Sequence, residues 1–218
     1  MNNIVAEKIT VAPVERKDGT YALRLCLKHG QLTAGMMKTV LDTMAEFGLT
    51  SLRATTGQRM NLEGISRENL DGVIAALGAS VEKAPLTTSV CSGAGICKYG
   101  MQESYGMADK LLEVVKANGP YPFKVKSGVS GCKMGCGLSF IRDIGMVGGP
   151  KGWEVHFGSS ARKDAGLGVM LGSKLTEEEA LGVAAKALTF YKENGRNRER
   201  TSGMLRRLGT EAVLEAVK

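Results

Sequence analysis

The chain has 218 residues, enough for one large domain or two small ones that each bury a core. Its apolar stretches are short and broken by glycine or charge, which excludes a bilayer-spanning helix, and residues 1–10 hold no apolar run of the kind a secretion signal needs. The expected setting is therefore the cytoplasm, with no membrane partner and with five reduced cysteines instead of a disulfide framework. The net charge of +7 is uneven: residues 86–218 carry 19 Lys and Arg against 13 Asp and Glu, while residues 1–85 carry 10 against 9. The excess suits an anionic ligand. No basic run is interleaved with aromatics to stack bases, so nucleic acid is not an expected partner.

In chain order, residues 19–29 alternate at Tyr21, Leu23, Leu25 and Leu27 and predict a strand, with Cys26 a buried structural thiol. Thr33 caps a predicted helix whose apolar positions Met36, Met37, Val40, Leu41, Met44 and Phe47 recur at three and four, and Gly48 ends it. Strands are expected at 51–55 and 59–62. Ser66 then opens a helix carrying Leu70, Val73, Ile74 and Leu77, followed by a short strand at 79–83. The order β-α-β-β-α-β is that of a ferredoxin-like α+β sandwich. A boundary at 85–89 divides the chain into domains 1–85 and 86–218. The second is expected to be mixed α/β, with a helix at 99–117, strands at 123–129, 138–147 and 153–157, a helix at 176–191 and short helices at 203–208 and 211–217. Glu177, Glu178 and Glu179 occupy the first turn of the 176–191 helix, where the helix dipole favours negative charge.

Four of the cysteines form two pairs, Cys91 with Cys97 and Cys132 with Cys136, and four thiolates at paired spacing can surround one soft-metal centre. Zinc pairs usually come as a tighter two-residue knuckle. The wider loops favour a cubane iron–sulfur cluster, whose irons spread the ligands apart, though spacing alone leaves zinc open. Glycines at 93, 95, 131, 135 and 137 let backbone N–H groups approach sulfur.

The segments Cys91-Ser-Gly-Ala-Gly-Ile-Cys97 and Val129-Ser-Gly-Cys132-Lys-Met-Gly-Cys136-Gly137 resemble the signature of the sirohaem nitrite and sulfite reductase family. So do Asp143-Ile-Gly-Met-Val-Gly-Gly149, Trp153-Glu-Val-His-Phe-Gly158 and Arg200-Thr-Ser-Gly-Met-Leu-Arg-Arg-Leu-Gly209. Upstream, Leu52-Arg-Ala-Thr-Thr-Gly-Gln-Arg-Met-Asn-Leu-Glu-Gly-Ile65 is similar to a further family segment. The likeness runs from about residue 19 to 217, and the chain length resembles that of the low-molecular-weight, assimilatory-type sulfite reductases.

The resemblance implies a ferredoxin-like half-domain followed by a mixed α/β domain that binds sirohaem and a [4Fe–4S] cluster. Cys91, Cys97, Cys132 and Cys136 would hold the cluster, with Cys136 also ligating the sirohaem iron. Neither His29 nor His156 is then needed as a haem ligand, and His156 reads as structural. Sirohaem carries eight carboxylates and the substrate, sulfite or nitrite, is a small anion. The resemblance therefore assigns Arg53, Arg59, Lys124 and Lys126 to substrate and macrocycle, and Thr55, Thr56 and Gln58 to sirohaem carboxylates. Many relatives carry a further Arg where Gly57 and Thr87 stand here. No nucleotide-binding glycine fingerprint is visible, so electrons are expected from an external donor such as a ferredoxin or another low-potential carrier. Full-length relatives are two tandem copies of this unit, so a single copy is expected to work as a monomer or to pair as a homodimer. The alternatives to a catalyst are a non-catalytic iron–sulfur electron carrier and a zinc-stapled binding module.

Overall fold

The computed structural model describes residues 9–83, 86–163 and 165–218. The chain divides into two compact units, Met1–Pro85 and Leu86–Lys218. The smaller unit contains β1 (Thr10–Glu15), β2 (Tyr21–Leu25), α1 (Ala34–Glu46), β3 (Leu52–Ala54), β4 (Met60–Ile65), α2 (Leu70–Ala76) and β5 (Ser80–Val81). Its strands form one sheet in the order β3-β4-β2-β1-β5, antiparallel except for the β1–β5 pair. Val11, Leu23, Leu25, Leu62 and Ile65 from the sheet pack with Met36 and Val40 of α1 and Leu70 and Val73 of α2.

The β-α-β-β-α-β core is present, with one strand more than the sequence pattern predicts. Strand β1 was hidden by Pro13, a residue that usually argues against a strand between two neighbours. It is tolerated because β5 reaches only Thr10 and Val11 of β1. Val11 O accepts from Glu82 N on that side, and Pro13, two residues on, turns its missing N–H the same way but past the end of β5. Thr33 caps α1 as expected, its hydroxyl accepting from Met36 N at 3.2 Å. Met37 and Leu41, however, are exposed. Each lies one residue from a buried neighbour, about 100° round the helix. The second helix starts at Leu70, later than expected, because Ser66 accepts from Asn69 N at 3.4 Å and shapes a turn before it. Cys26 is half-buried just beyond β2, not buried within it.

The larger unit holds β6 (Thr88–Val90), α3 (Tyr105–Asn118), β7 (Ser127–Ser130), β8 (Ile144–Gly149), β9 (Gly152–Phe157), β10 (Val169–Leu175), α4 (Glu177–Asn194), α5 (Thr201–Leu208) and α6 (Thr210–Val217). Its sheet has the order β10-β9-β8-β7-β6; β6, β7 and β8 run parallel and the rest pair antiparallel. Thr176 and Glu179 form a reciprocal capping box at the start of α4. Strands β6 and β10 were not foreseen: β6 is three residues without apolar alternation, and β10 pairs with β9 through two register shifts that scramble its pattern. The expected helix at 99–117 begins only at Tyr105. The expected strand at 123–129 begins at Ser127, so Lys124 and Lys126 precede it, and a 3-10 turn, Ser139–Ile141, replaces the first half of the expected 138–147 strand.

Alternation gives this sheet two different faces. Val90, Val129, Ile144, Met146, Trp153, Val155 and Phe157 face the core formed with α3, α4, α5 and α6. The opposite face presents Ser89, Gly128, Ser130, Gly145, Val147, Glu154 and His156 in register. Residues 137–142 lie directly on it. A Cβ at Gly145 would stand 1.9 Å from Ser139 O, and one at Gly128 would stand 2.7 Å from Gly137 O. Glycine is needed at both positions because backbone rests on backbone.

Two stability outcomes follow from this packing. Gly145→Ala forces residue 139 off the sheet and is expected to cost about 1–3 kcal/mol in a urea titration. The Glu199 carboxyl is held down at about 2, first by its hydrogen bonds from Arg207. A depressed carboxylate contributes stability that is present above its unfolded pKa of about 4.3 and is lost as pH falls towards the folded value. Glu199→Gln should therefore flatten the loss of stability between about pH 4.3 and 2, read by acid unfolding.

Candidate cofactor and anion site

The two cysteine loops meet at Gly131. Its N–H donates to Cys91 Sγ at 3.2 Å. Its carbonyl accepts from Met101 N at 2.8 Å and Gln102 N at 3.1 Å, which draws residues 99–104 out of the expected helix and across the loops. A Cβ on Gly131 would lie 2.7 Å from Gly93 Cα, so the 91–97 loop rests on the backbone just before Cys132. Ala94 N donates to Gln102 O and Cys97 N to Gly93 O, both at 2.9 Å, and Gly135 N donates to Cys132 O at 3.3 Å. All four cysteines are free thiols; Cys132 is buried, Cys91 and Cys97 are half-buried, and Cys136 is exposed.

Among the described residues, no three His, Cys, Asp or Glu side chains gather in a group that could hold a metal ion. The chemistry of the donor set still suits a cubane cluster: four thiols on two glycine-rich loops, with an N–H already directed at one sulfur. Such a cluster distributes its ligands over separate irons.

Beyond Cys136, the chain is pinned to the sheet. Gly137 N donates to Ser130 Oγ at 3.0 Å and Ser139 Oγ donates to the same oxygen at 2.7 Å. Phe140 meets His156 edge-on at 5.0 Å, and Lys133 pairs with Glu154 at 3.0 Å. Burial pushes the His156 pKa down, so the ring is a neutral packing group near pH 7.

Arg200 and the backbone of Lys126 meet at Asp143, which is 1% exposed. Its carboxylate accepts from Lys126 N at 2.8 Å, Thr201 Oγ1 at 2.6 Å and Arg200 Nε at 3.0 Å, with Arg200 Nη2 as a fourth donor. Its own N–H donates to Lys126 O at 2.9 Å. The 124–126 segment is thus fixed from both sides without being a strand. Its alternation survives: Lys124 and Lys126 are exposed on one side and Val125 is buried on the other. The Lys126 ammonium is pushed below the usual lysine range, first by partial loss of its water and then by the charges of Arg142, Arg200 and Lys124. Asp143, Arg142 and Arg200 were not assigned roles from the sequence. The available signal was a lone Asp beside an Arg at the head of a glycine-rich strand.

In the smaller unit, Thr55 and Arg59 close the hairpin between β3 and β4: Thr55 N donates to Arg59 O at 2.8 Å and Arg59 N to Thr55 Oγ1 at 3.3 Å. Thr56 and Gly57 lie in the turn with Gln58, whose backbone takes the left-handed conformation, φ 56°. Arg53 is engaged by Glu63, whose Oε1 and Oε2 both accept from Arg53 Nη2 at 2.6 Å; Arg16 pairs with the same carboxylate at 2.6 Å. Burial lowers the Arg59 pKa, with the Cys26 thiol opposing the shift.

Residues 82–218 match the family described as nitrite and sulphite reductase 4Fe-4S domain, and residues 14–80 match the nitrite/sulfite reductase ferredoxin-like half domain. The chain belongs to the nitrite and sulfite reductase family. It is an oxidoreductase, of α+β class. It is 31% identical to the assimilatory-type sulfite reductase of Nitratidesulfovibrio vulgaris, over 94% of this chain and 96% of that protein. It is also 31% identical to the NAD(P)H nitrite reductase of Bacillus subtilis, over 91% of this chain but only 25% of that much longer protein. The structure of the Mycobacterium tuberculosis NirA protein superposes with a TM-score of 0.74 at 22% identity, covering 93% of this chain and 41% of NirA. No described helix is long and apolar enough to cross a membrane.

Asp143 gives this reductase-family unit a sensitive point. Asp143→Ala removes the buried partner of half-buried Arg200 and leaves the Lys126 N–H and the Thr201 hydroxyl without their acceptor, and should cost about 2–4 kcal/mol. Urea denaturation followed by circular dichroism measures the loss.

Proposed function

We propose that this protein is a cytoplasmic, sirohaem-dependent sulfite reductase that takes six electrons from an external low-potential donor such as a ferredoxin. The observation that carries the reading is the 91–97 cysteine loop laid against the backbone at Gly131, the residue that leads into the second cysteine pair. The match over nearly the full length of a sulfite reductase favours sulfite as the substrate. Residues 1–85 would be the ferredoxin-like half-domain and 86–218 the sirohaem and cluster domain.

Cys91, Cys97, Cys132 and Cys136 would hold the [4Fe–4S] cluster, and Cys136, the exposed thiol, is suited to share its sulfur with the sirohaem iron. When bound, the two groups supply single-electron transfer and an open iron position for the anion. The residues of the chain do the rest. Lys124 and Lys126, on one side of their segment, would hold the oxyanion by charge. Reduction of sulfite to sulfide releases three oxygens as water and consumes six protons. The lowered pKa of the Lys126 ammonium makes its Nζ a better proton donor than ordinary lysine. Thr55, Thr56, Gln58, Arg53 and Arg59 are assigned to sirohaem carboxylates. Arg53 comes with Glu63 already on its fork, so it contributes a largely neutralised pair.

Nitrite reduction is the second reading, favoured by equal identity to the Bacillus subtilis nitrite reductase. Anaerobic loading with iron, sulfide and sirohaem, then turnover with reduced methyl viologen, separates the two. A higher kcat/KM for sulfite is expected, and a higher value for nitrite would reverse the assignment. Lys126→Met should lower kcat/KM for the preferred anion about 10²–10³-fold. Cys91→Ser should lower bound iron and acid-labile sulfide; unchanged iron and sulfide would remove Cys91 from the ligand set.

A further inference from the structure

Arg142 is a cation of the larger unit that the hydrogen bonding leaves incomplete. Its stem crosses the strand at Gly128, where an added Cβ would stand 2.9 Å from Arg142 Cγ, and its Nη2 donates to Ser89 Oγ at 2.9 Å. Its Nε is buried and has no hydrogen-bond partner among the described residues. A buried donor left unsatisfied costs about 1–3 kcal/mol, and more when charged. The neighbouring carboxylate, Asp143, is taken up by Arg200, Thr201 and the Lys126 amide. Burial and the charge of Arg200 push the Arg142 pKa down, while Asp143 opposes them.

The position matters as much as the missing partner. Along one face, Lys124 and Lys126 lead into Gly128 and then Ser130, the residue that anchors Gly137 next to Cys136. Arg142 covers the step at Gly128, between the two lysines and the cysteine loop. Across the strand pair, Thr88 stands beside Ser127 and Ser89 beside Gly128, so one step upstream Thr87 is level with Lys126. The side chain at 87 brings no charge, and the guanidinium reaching Ser89 from a different segment does.

We infer that Arg142 is an anion-binding residue, contributing its guanidinium to a carboxylate or small oxyanion bound between Lys126 and the 132–136 loop. This rests on the proposed function and extends it to a residue at the end of the 137–142 segment. A sirohaem carboxylate and the substrate anion offer the same chemistry, and two binding steps distinguish them.

Cluster-loaded, full-length protein is titrated with sirohaem, and the loaded protein is then titrated with sulfite, both followed by the haem absorption bands. Arg142→Gln should weaken at least one step tenfold or more. A loss confined to sirohaem uptake assigns the macrocycle carboxylate; a loss confined to the sulfite step assigns the substrate. Ser89→Ala, which removes only the hydroxyl partner, should leave both within twofold. Should Arg142→Gln fail to fold, Arg142→Lys carries the test, since it keeps the charge and loses the planar fork; a threefold or greater weakening is expected. Affinities within twofold of wild type at both steps, in whichever of these Arg142 variants folds, would overturn the assignment alone. Failure of the wild-type protein to take up sirohaem would overturn the proposed function and this assignment together.

Discussion

The larger unit depends on one close approach, the backbone of residues 137–142 lying against the glycines of β7 and β8. With a side chain at Gly128 or Gly145 that segment would lift by an ångström or more. Cys136 at one end and the Arg142-Asp143 pair at the other would move with it. The cysteine loop and the Lys124–Lys126 segment thus share this floor, while helix α5 packs against the core face. Asp143 makes the coupling explicit, since its carboxylate touches the segment before β7 and the start of α5 at once.

Electrostatics on this floor are arranged with one buried carboxylate among several cations. Asp143 neutralises Arg200 and orients Lys126 through the backbone, and leaves the charges of Lys124, Lys126 and Arg142 to whatever binds there. Arg142, Arg200 and Lys124 act on Lys126 through their charges, and an anion bound as proposed would relieve that repulsion. The same repulsion contributes to the acidity of Lys126, so the proposed anion binding and proton donation would arise from a single arrangement. In the smaller unit the balance is different: Glu63 already serves both Arg16 and Arg53.

Much of this was legible in the sequence, and the failures have physical causes. The helices announced themselves through caps and periodicity, Thr33 and the Thr176–Glu179 box being the clearest. The family was readable from the likeness of the cysteine segments and their neighbours to a known signature, whereas spacing alone left zinc open beside an iron–sulfur cluster. The strands of the larger sheet were harder. β7 and β8 are covered on both faces, so buried serines and glycines stand where alternation would be sought. The hub at Asp143 could not be seen because its partners are 17, 57 and 58 residues away in sequence. Long-range polar pairing leaves no local pattern.

Pro13 has a consequence beyond its tolerance in β1. Because β5 is only two residues long, no strand among the described residues pairs with the rest of β1 on that side. An unpaired strand there would offer a template on which another chain could add. Proline removes the donor that such an intruder would need, and does so where the native sheet has no use for it. The residue that hid the strand from sequence reading is thus also a guard against self-association during folding.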